Sequence, residues 1–202
     1  MTVLLDHDVT AAQKSVVEQR LRAMPSVEGV ALETRDQAYE KMRNDSPDLL
    51  ADLDPEDLPE SLRATVTDAS VAEAVGLVIG TVDGVEWAVL KIADVDPLPS
   101  QIGAIVRLEP TATAEQRAAV EKAVRALPRA ESIEFENRDA AYERLRKQCQ
   151  GKGDLAAQLD SQMTRASLRL QLAVDGKGRT GLPEIGRLDG VEAVQLVPVS
   201  ML

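Results

Sequence analysis

One stretch of this chain occurs twice, and that repeat sets what the chain can fold into. Residues 26–44 read SVEGVALETRDQAYEKMRN, and residues 129–147 read RAESIEFENRDAAYERLRK. Arg35, Asp36, Ala38, Tyr39, Glu40 and Arg43 return 103 positions later as Arg138, Asp139, Ala141, Tyr142, Glu143 and Arg146. Aligned without a gap, Thr2–Arg43 and Ile105–Arg146 share 18 identities in 42 pairs. The two tyrosines of the chain, Tyr39 and Tyr142, hold equivalent positions. A long internal period decides the domain count before any local signal does. Half of 202 residues is enough chain for an independent core. The expected domains are residues 1–95 and 105–202, joined by a short, Pro-containing linker at 96–104 that favours a fixed or hinged tandem.

The order of signals is the same in both copies. A short apolar strand at Val3–Leu5 has its twin at Ile105–Leu108. Thr10 with Gln13, and Thr113 with Gln116, are matched capping boxes: a hydroxyl first, a glutamine three residues on. The helix that follows carries Val17, Leu21 and Met24 in one copy, and Val120, Val124 and Leu127 in the other. That spacing makes one apolar stripe with a charged back. Pro25 and Pro128 then stop the helix. A strand with period-two alternation comes next, placing Val30 and Leu32, or Ile133 and Phe135, on one face. Thr34 and Asn137 are good N-caps for a second helix, on whose apolar side Tyr39 and Tyr142 are expected to pack. Asp36 and Asp139 fall in its first turn, where a negative charge suits the helix dipole.

The pattern then breaks. Asp45–Glu60 carries three prolines, seven aspartates and glutamates, no base, and four leucines. It reads as one or two helical turns in a partly separate lobe. The second copy inserts three residues here and loses the prolines and most of the acidity. After it, Ser61–Val66 and Ser167–Val174 alternate as strands. A third helix is clear at Val71–Ile79 and weak in the Gly-rich Gly176–Gly186. Asp83-Gly84 and Asp189-Gly190 mark the same turn into a last strand. Each copy is therefore β-α-β, a helical insertion between strands two and three, then β-α-β. Two such halves with right-handed crossovers make a split-βαβ, ferredoxin-like α+β domain with a small helical lobe.

Nothing in this pattern is a catalytic constellation, so no catalytic, cofactor or metal residue is assigned and no enzyme is expected. His7 is the one histidine, and its twin is Pro110. Cys149 is the one cysteine, which excludes an internal disulfide; in a polar loop it reads as incidental. No second His or Cys lies at metal-ligand spacing, and there is no phosphate-binding glycine motif. The acidic run resembles an EF-hand loop only superficially: it lacks the glycine at the sixth position and has Arg63 at the twelfth. The net charge of −11 is uneven, with 20 acids and 8 bases in residues 1–98, then 14 acids and 15 bases. No basic stripe exists to suit a nucleic acid. No apolar run is long enough to span a membrane, and the acidic Met1–Asp8 leaves no signal peptide to be expected.

The combination of a T-x-x-Q helix ending at proline, a strand running into R-D-x-A-Y, a Leu/Pro-rich lobe and Pro59-Glu60-Ser61 before a strand resembles the extracytoplasmic domain of the FtsX family of cell-division permeases. The likeness covers both copies; the second departs at the lobe, where Thr164–Ser167 replaces Leu58–Ser61. It implies a non-catalytic, extracytoplasmic protein-binding module without cofactor, a peptidoglycan hydrolase or coiled-coil activator as partner, and a membrane connection only through a segment outside this chain. It also implies that Leu49, Leu50, Leu53 and Leu58, amid their acidic rim, form the partner surface. The same leucines could instead close a mini-core against the second helix. A rival reading is an ACT-like small-molecule regulatory domain, which shares the strand and helix order. Such domains place a Gly-rich turn after the first strand, and neither Asp6–Thr10 nor Glu109–Thr113 contains a glycine.

Overall fold

The computed structural model describes residues 1–45, 53–90, 100–174 and 181–202. The chain divides into two compact units, Met1–Val89 with Gly151–Leu155 and Leu90–Gln150 with Ala156–Leu202. In the first repeat the elements run β1 (Thr2–Leu5), α1 (Ala11–Ala23), β2 (Val27–Glu33), α2 (Arg35–Asp45), a 3-10 turn (Pro55–Asp57), β3 (Ser61–Val66), α3 (Ala69–Ile79) and β4 (Val85–Val89). The second runs β5 (Gln101–Leu108), α4 (Ala114–Arg125), β6 (Ala130–Glu136), α5 (Arg138–Gln148), α6 (Leu155–Gln158), β7 (Ser167–Ala173), α7 (Leu182–Ile185), β8 (Val191–Val197) and a terminal 3-10 turn (Val199–Met201). The sheet orders are β2-β3-β1-β4 and β6-β7-β5-β8, antiparallel at every pairing. That order makes each repeat ferredoxin-like, with helical insertions between its second and third strands.

The repeat extends to single hydrogen bonds. Thr10 Oγ1 accepts from Gln13 N at 3.2 Å while Gln13 Oε1 accepts from Thr10 N at 3.0 Å. At Thr113 and Gln116 the two distances are 3.1 and 2.8 Å. Each box satisfies two amide donors that an uncapped helix start would leave orphaned. Replacing Thr10 or Thr113 by Ala is therefore expected to cost about 1 kcal/mol each, read as a lower urea midpoint with an unchanged slope. At the twin Asp-Gly turns, Gly84 and Gly190 take φ of +91° and +87°. A Cβ on either would lie 2.9 Å from the helix side of the turn, at Val9 or Gln116. The turn presses against the N-terminus of α1 or α4, and only glycine supplies both the conformation and the clearance. Its carbonyl then accepts from Asp6 N at 3.0 Å or Glu109 N at 2.9 Å.

The stripes predicted for the first helices are buried: Val17, Leu21, Val120 and Val124 are fully enclosed, and Met24 nearly so. In the second repeat they pack with Ala104, Val106, Leu168 and Leu170 from the strands and with Leu182 and Ile185 from α7. Ile133 joins this core from its edge, and Val30 is buried in the first repeat. Leu32 and Phe135 do not follow: each is 41% exposed. Their alternation correctly assigns them to the helix-covered face, since they sit opposite the buried Leu62 and Leu168. Both lie at the end of an edge strand, β2 or β6, and stay only partly covered. Tyr39 and Tyr142 are both half-buried rather than lying deep in the core.

Three other expectations change. The linker expected at 96–104 overlaps β5, which starts at Gln101; Gln101–Ala104 pair with Leu170–Ala173 of β7. Cys149 is not in a polar loop: it caps the C-terminus of α5 and is fully buried. Among the described residues, the weak third helix of the second repeat is the four residues of α7, introduced by Gly181 at φ +72°.

Candidate interaction surfaces

In the first repeat, the end of β1, the start of α2 and the 3-10 turn converge. Arg35, the first residue of α2, donates through Nη2 to the His7 carbonyl at 2.5 Å and through Nη1 to the Glu56 carbonyl at 3.5 Å. The His7 ring nitrogen Nε2 lies 3.1 Å from the same Glu56 carbonyl. The turn is closed by Asp54, whose amide donates to Asp57 Oδ2 at 2.8 Å. Lys14 of α1 meets Glu60 at 2.6 Å, with both side chains largely covered. Arg35 and His7 are thus staples of the lobe rather than recognition groups.

The structure distributes the four leucines of the expected partner surface unevenly. Leu49 and Leu50 lie outside the described residues. Leu53 is half-buried, and Leu58 is buried at 9% exposure. Leu58 is thus enclosed in the lobe rather than openly exposed. In the second repeat the lobe leucines Leu155 and Leu159 are also buried.

The corresponding corner of the second repeat is built differently. A cleft of ≈ 320 Å³ opens there, lined among others by Leu108, Pro110, Arg117, Phe135, Arg138 and Arg165. Arg117 of α4 sits over the Phe135 ring, its guanidinium carbon 5.0 Å from the centroid. Thr164, 1% exposed, lies at the base of the cleft and hydrogen-bonds through its hydroxyl to the carbonyls of Arg138 and Ser161. Sequence reading missed this cleft. A signal existed in the alignment: the twin of Glu60 is Ala166, so the acid that partners Lys14 has no counterpart beside Arg117.

The family follows from comparison once this architecture is in view. The sequence model of the FtsX extracellular domain matches residues 1–98 and again residues 101–197. The chain belongs to the FtsX extracellular-domain family. It carries that domain twice in tandem, which accounts for two sheets of identical order. No curated protein matches the chain. Membership makes it a cell-division-related extracytoplasmic domain, from a family of non-catalytic permease domains that engage other proteins. It favours the binding-module reading over the ACT-like one. Among the described residues, no helix of these FtsX domains is long and apolar enough to cross a membrane, and no group of three or more His, Cys, Asp or Glu could hold a metal ion.

Proposed function

We propose that this tandem FtsX extracellular domain is a non-catalytic module that recruits or regulates a peptidoglycan hydrolase, directly or through a coiled-coil activator, at the dividing cell envelope. The observation that carries the reading is the family match over both repeats. The lobe of the first repeat is the docking element. Its sequence combines Leu49, Leu50 and Leu53 with a dense run of acids, while Leu58, Arg35 and Lys14 anchor its described part. An amphipathic helix of the partner would lay its apolar face on the leucines, and basic residues beside that face would meet the rim. The rim would raise the association rate and make it salt-sensitive more than it would deepen affinity.

Calorimetric titration of the full chain against candidate envelope hydrolases and their coiled-coil activators tests this. Leu50→Glu and Leu53→Glu are expected to weaken binding by at least about tenfold, because each places a charge in an apolar contact, while circular dichroism stays unchanged. Two folded variants that bind like the parent protein would remove the lobe from the interface.

A further inference from the structure

We infer that the cleft of the second repeat is a separate binding site for an acidic peptide segment, one that presents a carboxylate beside an apolar side chain. Comparison of the two repeats at the same place carries the inference. The equivalence of the positions is fixed by the backbone: Leu5 N donates to the Glu60 carbonyl at 2.9 Å, and Leu108 N donates to the Ala166 carbonyl at 2.9 Å. Glu60 and Ala166 therefore occupy one structural position, immediately before β3 and β7.

In the first repeat the cationic groups at this corner are occupied from within. Lys14 is neutralised by Glu60, and Arg35 is spent on two carbonyls. In the second repeat the cations persist and their partners do not. Arg117 takes the place of Lys14, and with Ala166 opposite it forms no ion pair among the described residues. Arg138 takes the place of Arg35. Its ion-pair partner is the adjacent Asp139 at 3.4 Å, a contact in which both side chains remain at least half exposed. Such a contact contributes little to holding a guanidinium. Arg165 adds a third guanidinium, pinned at the wall by the carbonyls of Gln162 and Thr164 at 2.6 and 3.1 Å and by Glu192 at 3.4 Å. Glu109 is the one acid lining the cleft. Three guanidiniums against one carboxylate thus line the cleft, and Asp139 and Glu192 meet two of them from outside the lining.

The remaining lining narrows the ligand class. Phe135 is held 41% exposed with Arg117 against its ring, next to Leu108, Pro110 and Ala112. A simple anion such as phosphate would use the guanidiniums and leave this surface wet. A nucleic acid would require a basic stripe that the repeat lacks. A peptide carboxylate suits the planar fork of arginine, which takes two oxygens at once. A neighbouring leucine or phenylalanine of the same peptide would cover Phe135.

The probe is a fluorescent, N-acetylated and C-amidated tetrapeptide Leu-Asp-Glu-Leu, titrated by polarisation into the full chain. Its Leu-Asn-Gln-Leu isostere, the same acidic peptide with a free C-terminus, and inorganic phosphate serve as comparisons. Binding of the acidic peptide is expected, with a loss of at least about tenfold for the isostere, since each lost charge-assisted bond is worth that order. The free C-terminus is expected to add little if side-chain carboxylates are the recognised group; a requirement for it would overturn that part of the assignment. Arg117→Gln and Arg138→Gln should each weaken binding by about tenfold. The sharper variant is Ala166→Glu, which restores the internal counter-ion of the first repeat and should suppress binding as strongly. Arg117 is on the surface, so its variant keeps the test valid even where Ala166→Glu disturbs packing. Equal binding of the isostere, phosphate competing as well as the peptide, or Arg117→Gln binding like the parent would each overturn the proposal. So would self-association that Arg117→Gln abolishes in a chain that ignores the peptide, because the occupant would then be a second copy. Leu50→Glu should leave peptide binding intact, so this site and the lobe stand or fall separately.

Discussion

Leu21→Ala is expected to lower the stability of the first repeat by about 2–4 kcal/mol and to leave the second nearly untouched. Leu21 is fully buried on the inner stripe of α1, as are Val3, Leu5 and Val17. Removing three carbons there forfeits their transfer free energy and leaves a void that the surrounding side chains fill only in part. Val124→Ala is the matched change in α4. It deletes fewer atoms, so about 2 kcal/mol is expected at an equally enclosed site. The single tryptophan separates the two outcomes, because Trp87 lies in β4 of the first repeat. In urea, Leu21→Ala should move the Trp87 fluorescence transition to lower denaturant. Val124→Ala should leave it in place and shift the far-ultraviolet signal that remains. Equal movement of the Trp87 transition by both variants would mean that the repeats unfold as one cooperative unit.

What could be read from the sequence and what could not differ in kind. Capping boxes, proline stops and Asp-Gly turns are local chemistry, so Thr10, Thr113, Gly84 and Gly190 announced their roles directly. Sheet order followed because right-handed crossovers leave few alternatives for two βαβ halves. Phe135 stays partly exposed for a general reason: alternation reports which face a residue is on, and not whether that face is covered at the edge of the sheet. Cys149 looked polar because its neighbours are Gln148, Gln150 and Lys152; the helix simply runs to Gln148 and turns the thiol inward. Pro97 and Pro99 drew the linker too far, over a strand start whose partners lie some seventy residues away in β7. The cleft was hidden for the same non-local reason. Arg117, Arg138 and Arg165 are unremarkable until α4, α5 and the segment before β7 bring them to one opening. The lobe remains the part argued mostly from the sequence: Leu49 and Leu50 lie outside the described residues, and Leu58 is buried.

Glu136→Ala should be costly out of proportion to its distance from the apolar core. Glu136 ends β6 and is 13% exposed. Its two carboxylate oxygens take Arg144 of α5 in a fork, at 2.6 Å from Nε and 2.9 Å from Nη2. Oε2 also lies 3.5 Å from Nη1 of Arg169 in β7, a side chain only 6% exposed that also donates to the Met201 carbonyl. Deleting the carboxylate takes a counter-ion from the buried Arg169 and from Arg144 together, a change of about 3–5 kcal/mol. The first repeat supplies the control. Glu33 pairs with Arg63 at 2.8 Å in the equivalent cross-strand position, but Arg63 is 45% exposed and water can take over the solvation. Glu33→Ala should therefore cost about 1 kcal/mol or less. Urea unfolding of the full chain, followed by far-ultraviolet circular dichroism and by Trp87, separates the two repeats as before. Glu136→Ala combined with Arg169→Met should recover much of the loss, because an apolar pair in that space removes the buried cation along with its carboxylate. Equal losses for Glu33→Ala and Glu136→Ala would show that burial does not set the worth of this pair. The consequence reaches the cleft as well: the fork ties α5 to β6, the elements that carry Arg138 and Phe135 to its mouth.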